Sequence, residues 1–338
     1  MVIILKRSGL AAALLLTALP AATHHSRAIF DLERTITVEG VVTRYEWANP
    51  HVYLHVETQT ATGDPVVWAL EHSSTTMMRR QGWSSDTFAA GERVIVQGNP
   101  GRETSNMALV VSVERADVKL YDTISRGEGF DRSEESRVEA SGLTGPWVVP
   151  WQQPYFRRFS NPSSWPLTER GAEARANYDD RTMNPQLLCQ ARTVPWVMIF
   201  PSVQRIEVGD TSVSIWSEYN SIERTVHMDV ASHDGAAVVY QGHSIGWWEG
   251  DVLVVDTTHF SDHRNGNARG IPSGSQKHLV ERFDLNPDRT SLTYRFELED
   301  PEYLAAPVTG ELVSTYRPDI EFTPVPCDVE NAHRFVGD

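Results

Sequence analysis

The sequence predicts an all-β protein built from two barrels, a small OB-like barrel followed by a larger antiparallel lipocalin-like (calycin-type) barrel. Short segments of alternating apolar and polar residues recur along most of the chain, and turn residues separate them. The clearest segment is the hairpin 242–259, in which Glu249-Gly250 forms the turn, since glycine tolerates the backbone that tight hairpin turns need. This hairpin carries more His, Trp and acidic residues than packing alone requires.

The first barrel is predicted from five alternating segments with one short helix between the third and the fourth. The segments are 37–45, 51–57, 66–70, 93–98 and 108–113, and the helix is 75–81. Five strands with a helix in that position are typical of an OB-like barrel.

The second barrel is predicted from nine further segments, which are 197–200, 204–208, 211–219, 223–229, 237–247, 252–260, 278–284, 291–298 and 311–317. That number closes an antiparallel barrel of lipocalin size, which holds one small ligand. Gly145-Pro-Trp147 is similar to the Gly-x-Trp that opens lipocalin-type barrels. A short helix is predicted at 167–178, with Thr168 as its N-cap.

The N-terminus predicts export. Lys6 and Arg7 precede an apolar run at 8–19 that is short for a membrane span, and small residues follow this run. Residues 1–22 therefore indicate a secretory signal peptide, and a membrane anchor is the alternative. The mature protein is expected to be periplasmic or secreted, with no integral membrane segment after cleavage. We expect the barrels at 23–120 and 166–338, joined by a linker at 121–165 that is rich in Ser, Glu, Arg, Gly and Pro.

The net charge and the two cysteines each lead to a prediction. The net charge of −15 argues against nucleic acid as a partner, because such a partner needs a basic surface. The two cysteines, Cys189 and Cys327, predict a disulfide in an exported protein; two buried thiols are the alternative.

Several motifs resemble two families of exported bacterial proteins of unknown function. Residues 24–117 resemble DUF6152 in His24-His25-Ser26, Gly40-Val-Val-Thr, Trp47-Ala-Asn-Pro-His51, Arg80-Gln-Gly-Trp83 and Gly98-Asn-Pro100. Residues 142–335 resemble a second, uncharacterised family, mainly through Glu223-Arg-Thr-Val-His-Met-Asp229, the hairpin 242–257 and Glu281-Arg-Phe283. Neither resemblance implies an activity.

The histidines of the first barrel suggest a metal site. If cleavage follows Ala22, the new N-terminal amine, the intervening amides and His25 form a nitrogen set that suits Cu(II), with His24 and His51 as further imidazoles. The alternative is a frayed tail that binds no metal, and no cofactor is required elsewhere.

The second barrel carries the candidates for chemistry. His243 and His227 are the predicted acid and base, Arg224 or Arg282 would hold an oxyanion, and Glu281 is a further catalytic candidate. Gln241, Trp247, Glu218 and His259 are predicted to bind the ligand. The alternative is structural: Glu–Arg pairs join neighbouring strands of barrels, and the tryptophans belong to the core.

Together these features predict a barrel that encloses a small, fairly apolar molecule for cofactor-independent acid–base chemistry of the lyase, isomerase or hydratase type. The alternative is a periplasmic protein that binds a small molecule or copper without chemistry. We expect His243 and His227 to face the interior cavity. Arg224 has the opposite strand parity to His227, so only a bulge or an edge position would also bring it inward.

Overall fold

The computed structural model describes residues 29–102, 106–115, 118–121, 138–150, 154–324 and 326–333. It confirms the all-β class and the order of a small barrel followed by a larger one. The predicted signal peptide lies outside the described residues.

The small barrel consists of five strands closed into a ring. The strands are β1 (Ile36–Glu46), β2 (Tyr53–Gln59), β3 (Pro65–Glu71), β4 (Arg93–Pro100) and β5 (Met107–Arg115). They follow the order β3-β2-β1-β4-β5, and a parallel pairing of β3 with β5 closes the ring. Helix α1 (Thr75–Arg80) lies between β3 and β4 and is capped by Ser74, whose side chain accepts from the amide of Met77. Strand β6 (Val118–Tyr121) extends the sheet beside β5.

The larger barrel consists of nine strands. They are β7 (Gly145–Val148), β8 (Val203–Val208), β9 (Ser212–Ser217), β10 (Ile222–His227), β11 (His243–Glu249), β12 (Val252–Thr258), β15 (His278–Leu285), β16 (Ser291–Glu299) and β17 (Val308–Tyr316). Strands β13 (His263–Ala268) and β14 (Ile271–Ser273) form a separate two-stranded sheet. The connection from β7 to β8 contains helices α2 (Pro154–Ser160), α3 (Glu169–Ala176), α4 (Asp180–Met183) and α5 (Trp196–Ile199), and helix α6 (Val329–His333) follows β17.

Eight of the nine pairings around this barrel are antiparallel, and β10 with β11 is the parallel one. That pairing covers Val226 opposite Ser244 and His227 opposite Ile245, whereas β10 pairs with β9 along its whole length. The two strands therefore separate soon after they meet. We call this junction the seam.

Two differences from the sequence prediction change which segments close the larger barrel. The apolar run predicted as a strand at 197–200 forms helix α5, because an apolar segment of four residues that is buried on all sides has no periodicity to identify it. The missing strand is β7, which lies inside the stretch predicted as a linker and pairs with β8 and β17. Gly145-Pro-Trp147 therefore lies at the first strand of the larger barrel, as its lipocalin-like pattern predicts.

Each barrel has its own apolar core. The core of the small barrel includes Val42, Leu54, Leu70 and Met78, whereas the core of the larger barrel includes Trp147 and the inward side chains of its strands. Alternate burial along β16 shows this arrangement, in which every second side chain faces the core.

Polar contacts join the two barrels. Arg80 of α1 donates to Glu218 at 2.7 Å, and Arg79 donates to the carbonyl of Thr323 at 2.9 Å. Asn331 of α6 exchanges two hydrogen bonds with the backbone of His51. The predicted disulfide between Cys189 and Cys327 is confirmed and ties the C-terminal segment to the larger barrel.

Candidate functional site

Two polar networks lie on opposite faces of the same strands beside the seam. Along β11 and β12, the side chains of Ser244 and Thr257 are directed to the interior, while the neighbouring His243 and Asp256 are directed to the other face. Strand β15 continues both sets, with Glu281 inside and His278 outside. The alternation of a β-strand therefore separates two clusters of titratable groups by the thickness of one sheet.

The inner network is saturated. The Arg224 guanidinium donates to Glu281 through both of its terminal nitrogens, to Ser244 at 3.0 Å and to Thr257 at 2.7 Å. Tyr294 donates to the same Glu281 carboxylate at 2.8 Å. Arg224 is 4% exposed and Glu281 is fully buried, so each charge depends on the other for compensation.

The outer network is a chain of imidazoles centred on one carboxylate. Nε2 of His233 lies 2.9 Å from Asp256, and Nε2 of His278 lies 2.8 Å from the other oxygen of the same carboxylate. Nδ1 of His233 lies 2.8 Å from Nδ1 of His243. The ring of His227 stacks on that of His243 with 5.0 Å between centroids, and His259 lies beside both His233 and His243. His233 belongs to the excursion between β10 and β11, so this contact fastens that excursion to the barrel.

The hydrogen bonds determine which nitrogens carry protons when both rings are neutral. An ionised carboxylate only accepts, so His233 donates from Nε2 to Asp256 and accepts at Nδ1. His243 then donates from Nδ1, which leaves the lone pair of its Nε2 available. His243 is thus oriented as a base, with a carboxylate two hydrogen bonds behind it.

The electrostatics of the outer network favour this arrangement at neutral pH. Partial burial, followed by the neighbouring rings of His233, His227 and His259, lowers the pKa of His243 below its ordinary value. Burial alone would raise the pKa of Asp256, but the hydrogen bonds and charges of His278 and His233 outweigh it and lower that pKa. The hydrogen bond to Asp256 raises the pKa of His278. Asp256 therefore remains a carboxylate while His243 remains a neutral imidazole.

A pocket of about 420 Å³ opens beside the seam where β10 and β11 separate. We call it the seam pocket. Gly242 at its edge has a φ of 76°, which glycine adopts without strain and which turns the chain into β11. The pocket is lined by Glu223, Arg224, Thr225, His227, Ala237, Val239, Tyr240, Gln241, Gly242, His243 and Ser244. Its size falls within the usual range of small-molecule sites.

The structure brings His243, His227, Arg224 and Gln241 to this one pocket, but it reverses the predicted orientation. His227 and His243 lie half-buried on the outer parity of their strands, and Arg224 is the one directed to the interior. The expectation of two interior histidines is therefore wrong. The reason is that β10 alternates regularly, with Ile222, Arg224 and Val226 buried, so no bulge moves Arg224.

The predicted oxyanion ligands are already engaged. Arg224 has Glu281 as its partner, which is the structural alternative that strand-joining Glu–Arg pairs suggest. Arg282 lies on the surface and donates to Glu249 at 2.7 Å. Neither guanidinium is placed to hold a ligand in the predicted way.

The predicted ligand-binding residues lie in four different locations. Gln241 lines the seam pocket, and its amide bonds to the backbone of Arg192 and Val194. His259 belongs to the outer network. Trp247 is 41% exposed and donates to Glu249, away from the pocket, while Glu218 is buried against Arg80 between the barrels. Trp247 and Glu218 therefore have contacts unrelated to a ligand.

The predicted copper site is only partly within the described residues. His24 and His25 lie outside them, and His51 lies 3.0 Å from Glu71 in the small barrel. Among the residues described, no group of three or more His, Cys, Asp or Glu side chains is arranged to hold a metal ion. In the same ranges, no helix has both the length and the apolarity needed to cross a membrane.

Comparison with known families assigns only the first part of the chain. Residues 12–110 match DUF6152, a family of unknown function. The predicted resemblance of the N-terminal barrel is thereby confirmed, and the match ends before the seam pocket begins. No curated protein matches the chain. The resemblance of the second barrel to an uncharacterised family stays a prediction.

Three residues of the outer network escaped sequence analysis. His233 lies in Ser232-His-Asp-Gly235, which resembles an ordinary turn, and His278 is one outward residue of a regular strand. Asp256 is the usable signal, because it is an acidic residue in the middle of the apolar strand Val252–Thr258.

Proposed function

We propose that the protein performs proton-transfer chemistry on a small, fairly apolar molecule bound in the seam pocket, with His243 as the general base. The observation that carries this proposal is the hydrogen-bonded chain from Asp256 through His233 to His243, which ends at a pocket of about 420 Å³. The reaction class is that of a lyase, isomerase or hydratase, and the chemistry uses this chain's own imidazoles.

The chain of hydrogen bonds gives each group a definite role. Nε2 of His243 takes a proton from the substrate, and the positive charge that develops is stabilised because Nδ1–H already points at His233. Asp256 holds His233 in the accepting tautomer and stabilises the charge from behind. The stacked ring of His227 lies where a second imidazole can return the proton.

The walls of the pocket support an apolar ligand. Ala237, Val239 and the ring of Tyr240 form one side, and Gln241 is held by the backbone of Arg192 and Val194. A ligand there contacts these carbon surfaces together with the imidazoles of His227 and His243. A combination of apolar walls and polar groups that orient the ligand is usual for small-molecule sites.

Incubation in D₂O tests proton transfer while the substrate is still unidentified. A small-molecule extract of cells that produce the protein is incubated with wild type or with His243→Gln, and the mixtures are compared by mass spectrometry. We expect the wild type to isomerise, hydrate or deuterate at carbon at least one compound. We expect His243→Gln to slow that change by about 100-fold or more, which is the usual contribution of a positioned acid or base.

Arg282→Gln is the matched control, because Arg282 lies on β15, two strands away from His243 in the same barrel, and pairs with Glu249 at the surface. Its rate should equal that of the wild type. Full activity in His243→Gln, or no change in any compound, would overturn the proposal. A compound that the wild type retains unaltered would favour the alternative of a non-catalytic small-molecule carrier.

A further inference from the structure

Among the described residues, Arg192 stands apart from the arginines that pair with a carboxylate away from solvent. Arg80 is paired with Glu218, Arg224 with Glu281 and Arg269 with Asp180. Arg192 instead has its Nε and Nη1 atoms buried with no hydrogen-bond partner among the described residues. A guanidinium keeps its charge in proteins, so this one lacks the acceptors that the other three have.

Aromatic rings surround the Arg192 guanidinium. Its central carbon lies 3.7 Å from the ring centroid of Trp196, 5.7 Å from that of Phe200 and 5.8 Å from that of Tyr219. We call these four residues the Arg192 cage. Ring faces attract a cation, but they do not satisfy its N–H groups.

The cage contains further donors that lack partners. Nε1 of Trp196 and the hydroxyl of Tyr219 are buried without a hydrogen bond in the described part of the chain. Together with Arg192 they form a set of donors around one positive charge. Such a set is complementary to an oxyanion, because each buried donor gains a hydrogen bond to its oxygens.

The charges near the cage also favour an anionic ligand. The buried charges of Lys277 and Arg192 add to the effect of burial and hold the pKa of His263 at about 3. The groups that act on the pKa of Arg192, after burial, are the phenols of Tyr219 and Tyr178, and no carboxylate is among them. A guanidinium with no carboxylate among the groups that act on it suits an anionic ligand.

The cage lies next to the seam pocket. Gln241, which lines that pocket, donates to the backbone carbonyl of Arg192 at 2.8 Å. Tyr240, also in the pocket wall, donates to the carbonyl of the preceding Ala191 and packs edge-on against His263 with 4.9 Å between centroids. The backbone that positions the cage is therefore held by two residues of the pocket wall.

We infer that the Arg192 cage binds the carboxylate of a small organic anion, with Arg192 as the charged ligand and Tyr219 and Trp196 as additional donors. A carboxylate matches the planar guanidinium fork and carries the single charge that Arg192 compensates. The apolar body of the molecule then packs beside the aromatic side chains of the cage. Phosphate fits less well, because its second charge has no partner in the cage.

Sodium benzoate is the probe, since it joins one carboxylate to an apolar ring. We measure its binding by isothermal titration calorimetry and its effect on thermal unfolding, each against sodium chloride at equal ionic strength. We expect saturable binding and a raised Tm for the wild type, because a ligand that binds the folded state stabilises it. Inorganic phosphate should bind more weakly than benzoate.

Arg192→Met keeps an unbranched side chain and removes its charge and donors. We expect benzoate binding to weaken at least tenfold, and we expect the ligand-free variant to melt no earlier than the wild type, because an uncompensated charge has been removed. Arg192→Lys, which keeps the charge but not the fork, should also weaken binding at least tenfold and serves if the Met variant does not fold. Arg282→Met is the surface control and should bind as the wild type does.

Equal benzoate affinity in Arg192→Lys and the wild type, no saturable binding by the wild type, or tighter binding of phosphate than of benzoate would each overturn the inference. A lower Tm for ligand-free Arg192→Met, with unchanged benzoate affinity, would assign Arg192 a purely structural role. His243→Gln separates this site from the proposed function: we expect it to bind benzoate normally even where proton transfer is lost.

Discussion

The inner and outer faces of β11, β12 and β15 each hold a carboxylate with basic partners, but the two networks differ in how completely their hydrogen bonds are satisfied and in how exposed they are. On the inner face, Arg224 directs its donors to Glu281, Ser244 and Thr257, and the pair is buried from solvent. On the outer face, Asp256 is shared between two partly exposed imidazoles. Complete hydrogen bonding and burial therefore mark the inner network as structural, whereas the partly exposed outer network is the candidate for chemistry.

The largest effect is expected from breaking the inner network. Glu281→Gln leaves the buried Arg224 charge without a counter-charge, and loss of one partner of a buried pair costs about 3–5 kcal/mol of unfolding free energy. Urea unfolding measures the change. The double variant Arg224→Met/Glu281→Leu should recover most of the loss, because it removes both charges. A loss below about 1 kcal/mol in Glu281→Gln would show that the inner pair is not a structural element.

A smaller effect is expected from removing Asp256, the carboxylate that two histidines of the outer network share. Asp256→Asn takes the ionic acceptor from both His233 and His278, and we expect about 1–2 kcal/mol at pH 6, since these hydrogen bonds are partly exposed. The same urea measurement applies. A loss as large as that of Glu281→Gln would remove the contrast between the two faces.

The pairing of His278 with Asp256 makes the free energy of unfolding depend on pH. The pKa of His278 is raised in the folded state from its ordinary 6.5, so its contribution is fully present below that value and disappears as the pH rises through the raised pKa. The difference in unfolding free energy between the wild type and His278→Gln should therefore be larger at pH 5.5 than at pH 8.5. Equal differences at the two pH values would contradict the pairing of His278 with Asp256.

The smallest expected effect is a change in the pKa of His243. His233 is one of the neighbours that lower the pKa of His243, so His233→Ala should raise that pKa. NMR titration of the His243 ring signals measures it. An unchanged His243 pKa would show that the His233 ring does not act on the titration of His243.

The two barrels and the disulfide were predictable, because alternation and turn residues report strands directly and two cysteines allow one pair. Strand β7 and helix α5 were not, since four-residue segments carry too little periodicity to identify them. The same limit does not apply to the pocket: Arg224, His227, Gln241 and His243 were recognised from the chemistry of their side chains.

The residues of the site were easier to predict than the direction in which their side chains face or the partners that they contact. Parity correctly separated Arg224 from His227, but it does not say which of the two faces inward; that depends on Val226 and Ile222, which share the parity of Arg224 and fill the core. The role that we infer for Arg192 depends on two nitrogens that have no hydrogen-bond partner among the described residues, and no sequence pattern predicts this. His233 reaches the site through an irregular excursion whose course no local pattern specifies.

The parallel junction at the seam has a consequence for how the barrel forms. Val226 and Ser244 are close in sequence, so this junction can assemble early, whereas the contact of β7 with β17 joins Val148 to Thr315 across most of the domain. Distant closures slow folding, because chain entropy is lost before the contacts form. Substitutions in β7 should therefore act mainly on the unfolding rate, while those at the seam act on the folding rate.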